Sequence, residues 1–171
     1  GSIRPTLRSN GSRAINFNPS LQFDGTEDFL DDADGEDYIN GVSGFSTFVI
    51  VDSDTNAADR YIFNSESSPT SAEAPWGLRF DDAGALSGRD NTLKTGINTG
   101  TAELYEGDED NIASADPLLI DLHWESGDYP RIFVNGKNIS THPETTKSGS
   151  LSGADYARIG HQGGHSFWDG T

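Results

Sequence analysis

Apolar and polar residues alternate most strictly near the start of the chain, where Ile15, Phe17, Pro19, Leu21 and Phe23 interleave with Asn16, Asn18, Ser20, Gln22 and Asp24. A period of two puts one set on a buried face and predicts a half-buried strand. Pro19 has no N–H to give to a ladder, so an edge position or a bulge is expected there. Gly44–Val51, reading GFSTFVIV, is β-branched and apolar on both faces toward its end, which is the composition of a strand central in a sheet. Residues 61–64 predict a further strand, and residues 76–80 one that returns through a DDAG turn (81–84) and residues 85–89 as a hairpin. In LLIDLHWE, Leu118, Ile120, Leu122 and Trp124 share one parity, while Asp121 and His123 share the other with Leu119 and Glu125. This is a strand with one buried face, and Trp124 belongs to the core side.

A short loop, 126–130, leads to residues 131–134, the dipeptide Asn135-Gly136 and residues 137–140. Asn-Gly between two strands predicts a type I′ turn, because both central residues must take positive φ. Residues 156–160 give the last clear strand. Apolar spacing of the helical type is never sustained over three turns, and the best helical candidate is one turn near 28–38. Short strands separated by turns predict an all-β fold, a two-sheet antiparallel sandwich or jelly roll, in one domain of 171 residues.

Charge and composition narrow the function. The chain carries 28 Asp+Glu against 11 Lys+Arg, a formal net charge of -17, which repels phosphate backbones and anionic lipid surfaces and speaks against nucleic acid as a partner. With 33% hydrophobic residues there is no apolar run long enough for membrane insertion as a helix. Cysteine is absent, so disulfides and thiolate chemistry are excluded. The acidic surplus is spread over turns rich in Gly, Asn, Ser and Thr, which predicts a solvated surface of an extracellular or high-salt setting.

Four segments then suggest a family. INFNPSLQFDGTEDFL, GFSTFVIV, RIFVNGKNI and the ending ARIGHQGGHSFWDGT occur in that order. Together they resemble the concanavalin A-like, laminin-G-type jelly-roll modules of large secreted or surface bacterial proteins, Bacteroidetes in particular. The resemblance implies a non-catalytic binding or spacer domain of an adhesin or glycan-degrading protein, often with a structural calcium ion. In that family the Asp-Gly near the end, here Asp169-Gly170, precedes a final strand. The expectation is therefore a domain without its C-terminal strand in this sequence, or one completed by a strand-donating neighbouring chain or domain.

Calcium takes oxygen ligands from acidic loops. The densest cluster is Asp31, Asp32, Asp34, Glu36 and Asp37; an EF-hand register from Asp32 fails, because Asp37 stands where Gly is required and Ser43 where Glu is required. Asp52, Asp54 and Asn56 fail in the same way at Ala57, and Glu106, Asp108, Glu109 and Asp110 form a third acidic cluster. The family resemblance adds Asp24 and Asp28. For a glycan or cell-surface ligand, aromatic rings must sit beside polar side chains, and the candidates are Trp76, Arg79, Tyr105, Asp121, His123 and Trp168, with Tyr129 a further aromatic. His161 and His165 flank Gln-Gly-Gly, which disfavours the helix a zinc pair would use. Catalysis has little support: there is no G-x-S-x-G elbow and no carboxylate pair on one strand face.

Overall fold

The computed structural model describes residues 4–8, 19–53, 60–66, 76–81, 92–107, 112, 117–140, 146–161 and 168–171. Among these, three antiparallel sheets are formed. The four-stranded sheet joins β4 (Gly44–Val51), β9 (Leu118–Glu125), β10 (Arg131–Val134) and β11 (Lys137–Asn138) in the order β11-β10-β9-β4. The six-stranded sheet joins β3 (Leu30–Asp32), β5 (Arg60–Glu66), β6 (Trp76–Asp81), β7 (Thr92–Asn98), β8 (Ala102–Glu106) and β12 (Ala154–Ile159), in the order β3-β12-β5-β6-β7-β8. A third sheet has β1 (Thr6–Arg8), β2 (Ser20–Asp24) and β13 (Asp169–Gly170), with β2 in the middle.

The parity read from LLIDLHWE is the parity of the core. Ile120 and Leu122 of β9, with Ile132 and Val134 of β10, pack against Leu78 and Phe80 of β6, Leu93 of β7 and Ile62 of β5. Each such side chain contributes about 1.5–3 kcal/mol by leaving water. A second cluster gathers Ile39, Ile97, Tyr105, Trp124, Leu151 and Ala154. The helical turn α1 (Glu36–Ile39) joins it through Ile39, and the following Asn40 fastens it: the Asn40 amide donates to the Ala154 carbonyl at 2.9 Å and accepts the Ala154 N–H at 3.0 Å. The Asn-Gly turn has the expected backbone, with φ of 50° at Asn135 and 80° at Gly136.

Several expectations change. Strand β2 begins directly after Pro19, and its predicted beginning at residues 15–18 lies outside the described residues, as does the hairpin return at 82–89. Strand β6 lies between β5 and β7. Strands β7 and β8 escape the periodicity because TLKTGIN buries Thr92, Lys94 and Thr95 along with its apolar residues. Strand β4 pairs with β9 over its whole length. Its inner residues Val49 and Val51 meet the core, while Phe48 and Ile50 on its other face are 65% and 52% exposed.

Replacing Leu122, fully buried, with Ala is expected to lower the unfolding free energy by about 2–5 kcal/mol. The same change at Leu119, 44% exposed on the opposite face of the strand, is expected to cost under about 1 kcal/mol. Urea denaturation of the two variants measures both, and equal losses would contradict the parity of β9.

Candidate functional site

Alternation along β9 sends Asp121 and His123 outward, and cross-strand pairing decides what stands beside them. Ser46 of β4 and Arg131 of β10 lie opposite His123; Phe48 and Phe133 lie opposite Asp121. Residues directly opposite share a face and come within side-chain contact. Ser46 Oγ is 2.7 Å from His123 Nδ1, and His123 Nε2 is 2.7 Å from Asp121 Oδ1. Ser46 Oγ and His123 Nδ1 share a hydrogen bond whose donor is set by the imidazole tautomer, while Asp121 Oδ1 stands close to Nε2 without a hydrogen bond between them. Phe48 and Phe133 meet the imidazole edge-on, with centroids 5.5 and 6.0 Å away.

The loop between β9 and β10 builds one wall. Asp128 N–H donates to the Glu125 carbonyl at 2.9 Å, and Gly127 takes φ of 94°, a value that suits glycine. Its N–H donates to the Lys147 carbonyl at 2.7 Å, anchoring the turn to the segment before β12. Asp128 Oδ2 lies 3.6 Å from Arg131 Nη2, beside His123. The result is an open concavity of about 390 Å³ in which His123, Asp121, Glu125, Tyr129, Arg131 and Phe133 converge. Three of these neighbours are aromatic, counting the imidazole, and carboxylates outnumber the single guanidinium, so the field favours neutral or cationic ligands over anions.

A serine, a histidine and an aspartate in line suggest hydrolysis, but the connections are reversed. In serine hydrolases the histidine meets serine through Nε2 and aspartate through Nδ1. Here Nδ1 faces Ser46 and Nε2 faces Asp121. The Ser46 hydrogen bond ties the imidazole to the neighbouring strand.

The other aromatic candidates are placed elsewhere. Trp168 is 2% exposed and stacked on Phe80, with centroids 5.7 Å apart. Tyr105 is 1% exposed, and burial pushes its hydroxyl up to about 12. Both belong to the core, and Trp168 also lines an apolar groove beside β2 and β4. Trp76 is half-buried, its ring 4.7 Å from Phe63 and 5.7 Å from Phe45. Arg79 is buried on the other sheet, donates to the Tyr61 hydroxyl and lies over that ring at 5.2 Å. Of the sequence candidates, Asp121, His123 and Tyr129 come together. Ser46, Phe48, Arg131 and Phe133 were missed; the Asn-Gly turn could have placed Arg131 and Phe133 through the β9–β10 register, whereas the β4–β9 pairing joins segments far apart in the chain.

The acidic candidates do not form one group. Asp24 Oδ1 accepts the N–H of Thr26 at 2.9 Å and of Glu27 at 3.1 Å, and these bonds lower its pKa. Asp28 is buried; desolvation first, and then the charges of Asp24 and Glu27, raise its pKa. Asp31 is engaged by Arg158 Nε at 2.6 Å. Asp32 accepts the Asp34 N–H at 3.1 Å and the Tyr38 hydroxyl at 3.0 Å. Asp34 and Glu36 lie on the exposed surface of the same turn. His161 is buried against Phe29 with centroids 5.0 Å apart, while His165, Asp54, Asn56 and residues 108–110 lie outside the described residues. Among the described residues, no group of three or more His, Asp or Glu is arranged to hold a metal ion, and no helix is long and apolar enough to cross a membrane.

No family model matches the chain, and a search of the curated proteins finds no match.

Asp28 makes the fold pH-dependent with a defined sign. Its folded pKa lies above the unfolded value of 3.8, so its contribution is fully present below that value and is lost as pH rises through the folded pKa. Asp28→Asn removes the cost of ionisation. The variant is expected to melt higher than the wild type at pH 7 in chelator, with the difference shrinking toward pH 3. A variant that melts lower at pH 7 would contradict this account.

Proposed function

We propose that the protein is a non-catalytic binding module of a secreted or cell-surface protein, a jelly-roll sandwich whose outer β4–β9–β10 face takes a neutral carbohydrate. The observation that carries this reading is the Ser46–His123–Asp121 line held between the rings of Phe48 and Phe133. Pyranose rings offer apolar C–H faces and a rim of hydroxyls. The phenyl rings match the former, and the carboxylates and Arg131 match the latter. Ligand sites typically combine apolar walls with a few fixed polar groups in this way. The local excess of carboxylate over guanidinium selects against sulfated or uronate polymers.

Calcium belongs to the same reading at the loop after β2. Asp24 and Asp28 supply two carboxylates there, and the remainder of the six to eight oxygens that Ca²⁺ takes would come from backbone carbonyls and water. Desolvation first, and then the charge of Asp24, raises Asp28; a cation between the two carboxylates would offset that charge.

Screening the protein against neutral and acidic oligosaccharides, followed by titration calorimetry on the hits, tests the site. Neutral glycans are expected to bind, with affinity reduced at least tenfold by Asp121→Asn and by Phe48→Ala. Binding confined to acidic glycans, or indifferent to both substitutions, would overturn the proposal; no binding to any glycan would favour a structural spacer. Calcium is expected to raise the Tm of the wild type and to leave Asp28→Asn unmoved. A calcium shift retained in that variant would remove the loop from the proposal.

A further inference from the structure

The outward face of the β4–β9 pair changes character along its length. At the Ser46–His123 end it is polar, and the concavity with Glu125, Asp128 and Arg131 opens there. At the other end the register sets Ile50 opposite Leu119 and Phe48 opposite Asp121. Phe48, Ile50 and Leu119 are 65%, 52% and 44% exposed, and Phe133 reaches the same area from β10, also opposite Asp121. Side chains stand roughly perpendicular to a sheet, so this apolar platform is open whatever lies beside β4 in the plane of the strands. The two ends form one surface, because Phe48 and Phe133 both meet the His123 ring. From the Ser46–His123 pair to the Ile50–Leu119 pair is four residues, about 13 Å at the rise of a strand, which is longer than one sugar ring.

An unsubstituted sugar suits only the polar end. Its hydroxyls, laid on Ile50 and Leu119, would lose water without gaining a partner, which is costly for any polar group. Asp121 is an acceptor, but its carboxylate stands 2.7 Å from His123 and serves the polar end. Asn135 borders the apolar end, where its Oδ1 accepts the Leu119 N–H at 3.0 Å; its Nδ2 group can only donate. The chemistry that fits is apolar carbon together with an acceptor and no donor. A short O-acyl ester has that composition, with a methyl for the platform and a carbonyl oxygen where an O–H would otherwise stand. An N-acyl amide keeps an N–H that needs an acceptor, and a free hydroxyl has the same need.

We propose that this platform is the subsite for an O-acetylated unit of the neutral glycan whose unsubstituted units occupy the concavity; the inference rests on the carbohydrate reading of the same face. The acetyl methyl lies on Ile50, Leu119 and Phe48, the ring that bears it lies toward Phe133, and the following units run toward His123 and Arg131. Selectivity comes from the penalty on the competitor: the ester brings no unpaired donor to the apolar end, whereas the free hydroxyl it replaces does. An exposed apolar patch that continues into a polar site is thereby explained as part of that site.

The probes are oligosaccharides of xylan, mannan and cellulose, each used unmodified and partly O-acetylated, titrated into the protein by calorimetry. For at least one backbone the acetylated form is expected to bind at least tenfold more tightly. The double variant Ile50→Thr, Leu119→Thr puts a β-branched residue at both positions, which suits the strands, and is expected to lose that advantage while its affinity for the unmodified form stays within about twofold. Should the double variant not fold, the wild type decides: NOEs are expected from the acetyl methyl to the methyls of Ile50 and Leu119. Equal affinity for the two forms, tighter binding of the unmodified one, an advantage retained in the double variant, or NOEs to another face would overturn the inference and leave the carbohydrate reading standing. Failure of every glycan to bind would remove both. A dimer of this chain that buries Phe48 and Ile50 would overturn the inference as well.

Discussion

The pairing of β4 with β9 is the constraint from which the rest follows. Eight consecutive residue pairs, from Gly44 opposite Glu125 to Val51 opposite Leu118, bring together two segments separated by more than sixty residues. A shift of one residue would turn every side chain of one strand to the wrong face. In the observed register Val49 and Ile120 look inward together, and Ser46 and His123 look outward together. Core and candidate site are thus two faces of one decision, and neither can be altered without the other.

Much of this could be read from the residues. Strands β4 and β9 occupy their predicted ranges, the Asn135-Gly136 turn has the backbone that its residues dictate, and the outward parity of Asp121 and His123 holds. What could not be read is partnership. Burial of Tyr105 and Trp168 depends on which strands come to lie over them, and no local pattern encodes that. Strand β7 was invisible for the opposite reason: its polar residues Thr92, Lys94 and Thr95 are buried, against the usual pattern of polar residues outward. The jelly-roll topology, the glycan and the calcium ion are carried by the proposal, and the all-β antiparallel architecture by the structure.

The acidic composition also resolves into distinct jobs. Asp24 and Asp32 close turns by accepting backbone N–H groups, Asp31 accepts from Arg158, and Asp121 and Asp128 stand beside His123 and Arg131. Each carboxylate has a local neighbour rather than a part in a shared field. Asp28 differs from Asp24, whose backbone hydrogen bonds lower its pKa, because burial raises the pKa of Asp28. A single net charge conceals these opposed environments.

The central claim is that Ser46 and His123 meet across the β4–β9 pair. A double-mutant cycle of Ser46→Ala and His123→Ala, read by urea denaturation, tests it most directly. A coupling of about 0.5–1.5 kcal/mol is predicted, the range of one net hydrogen bond. Strict additivity of the two substitutions would mean that the two side chains do not touch, and the register on which core and site both rest would be wrong.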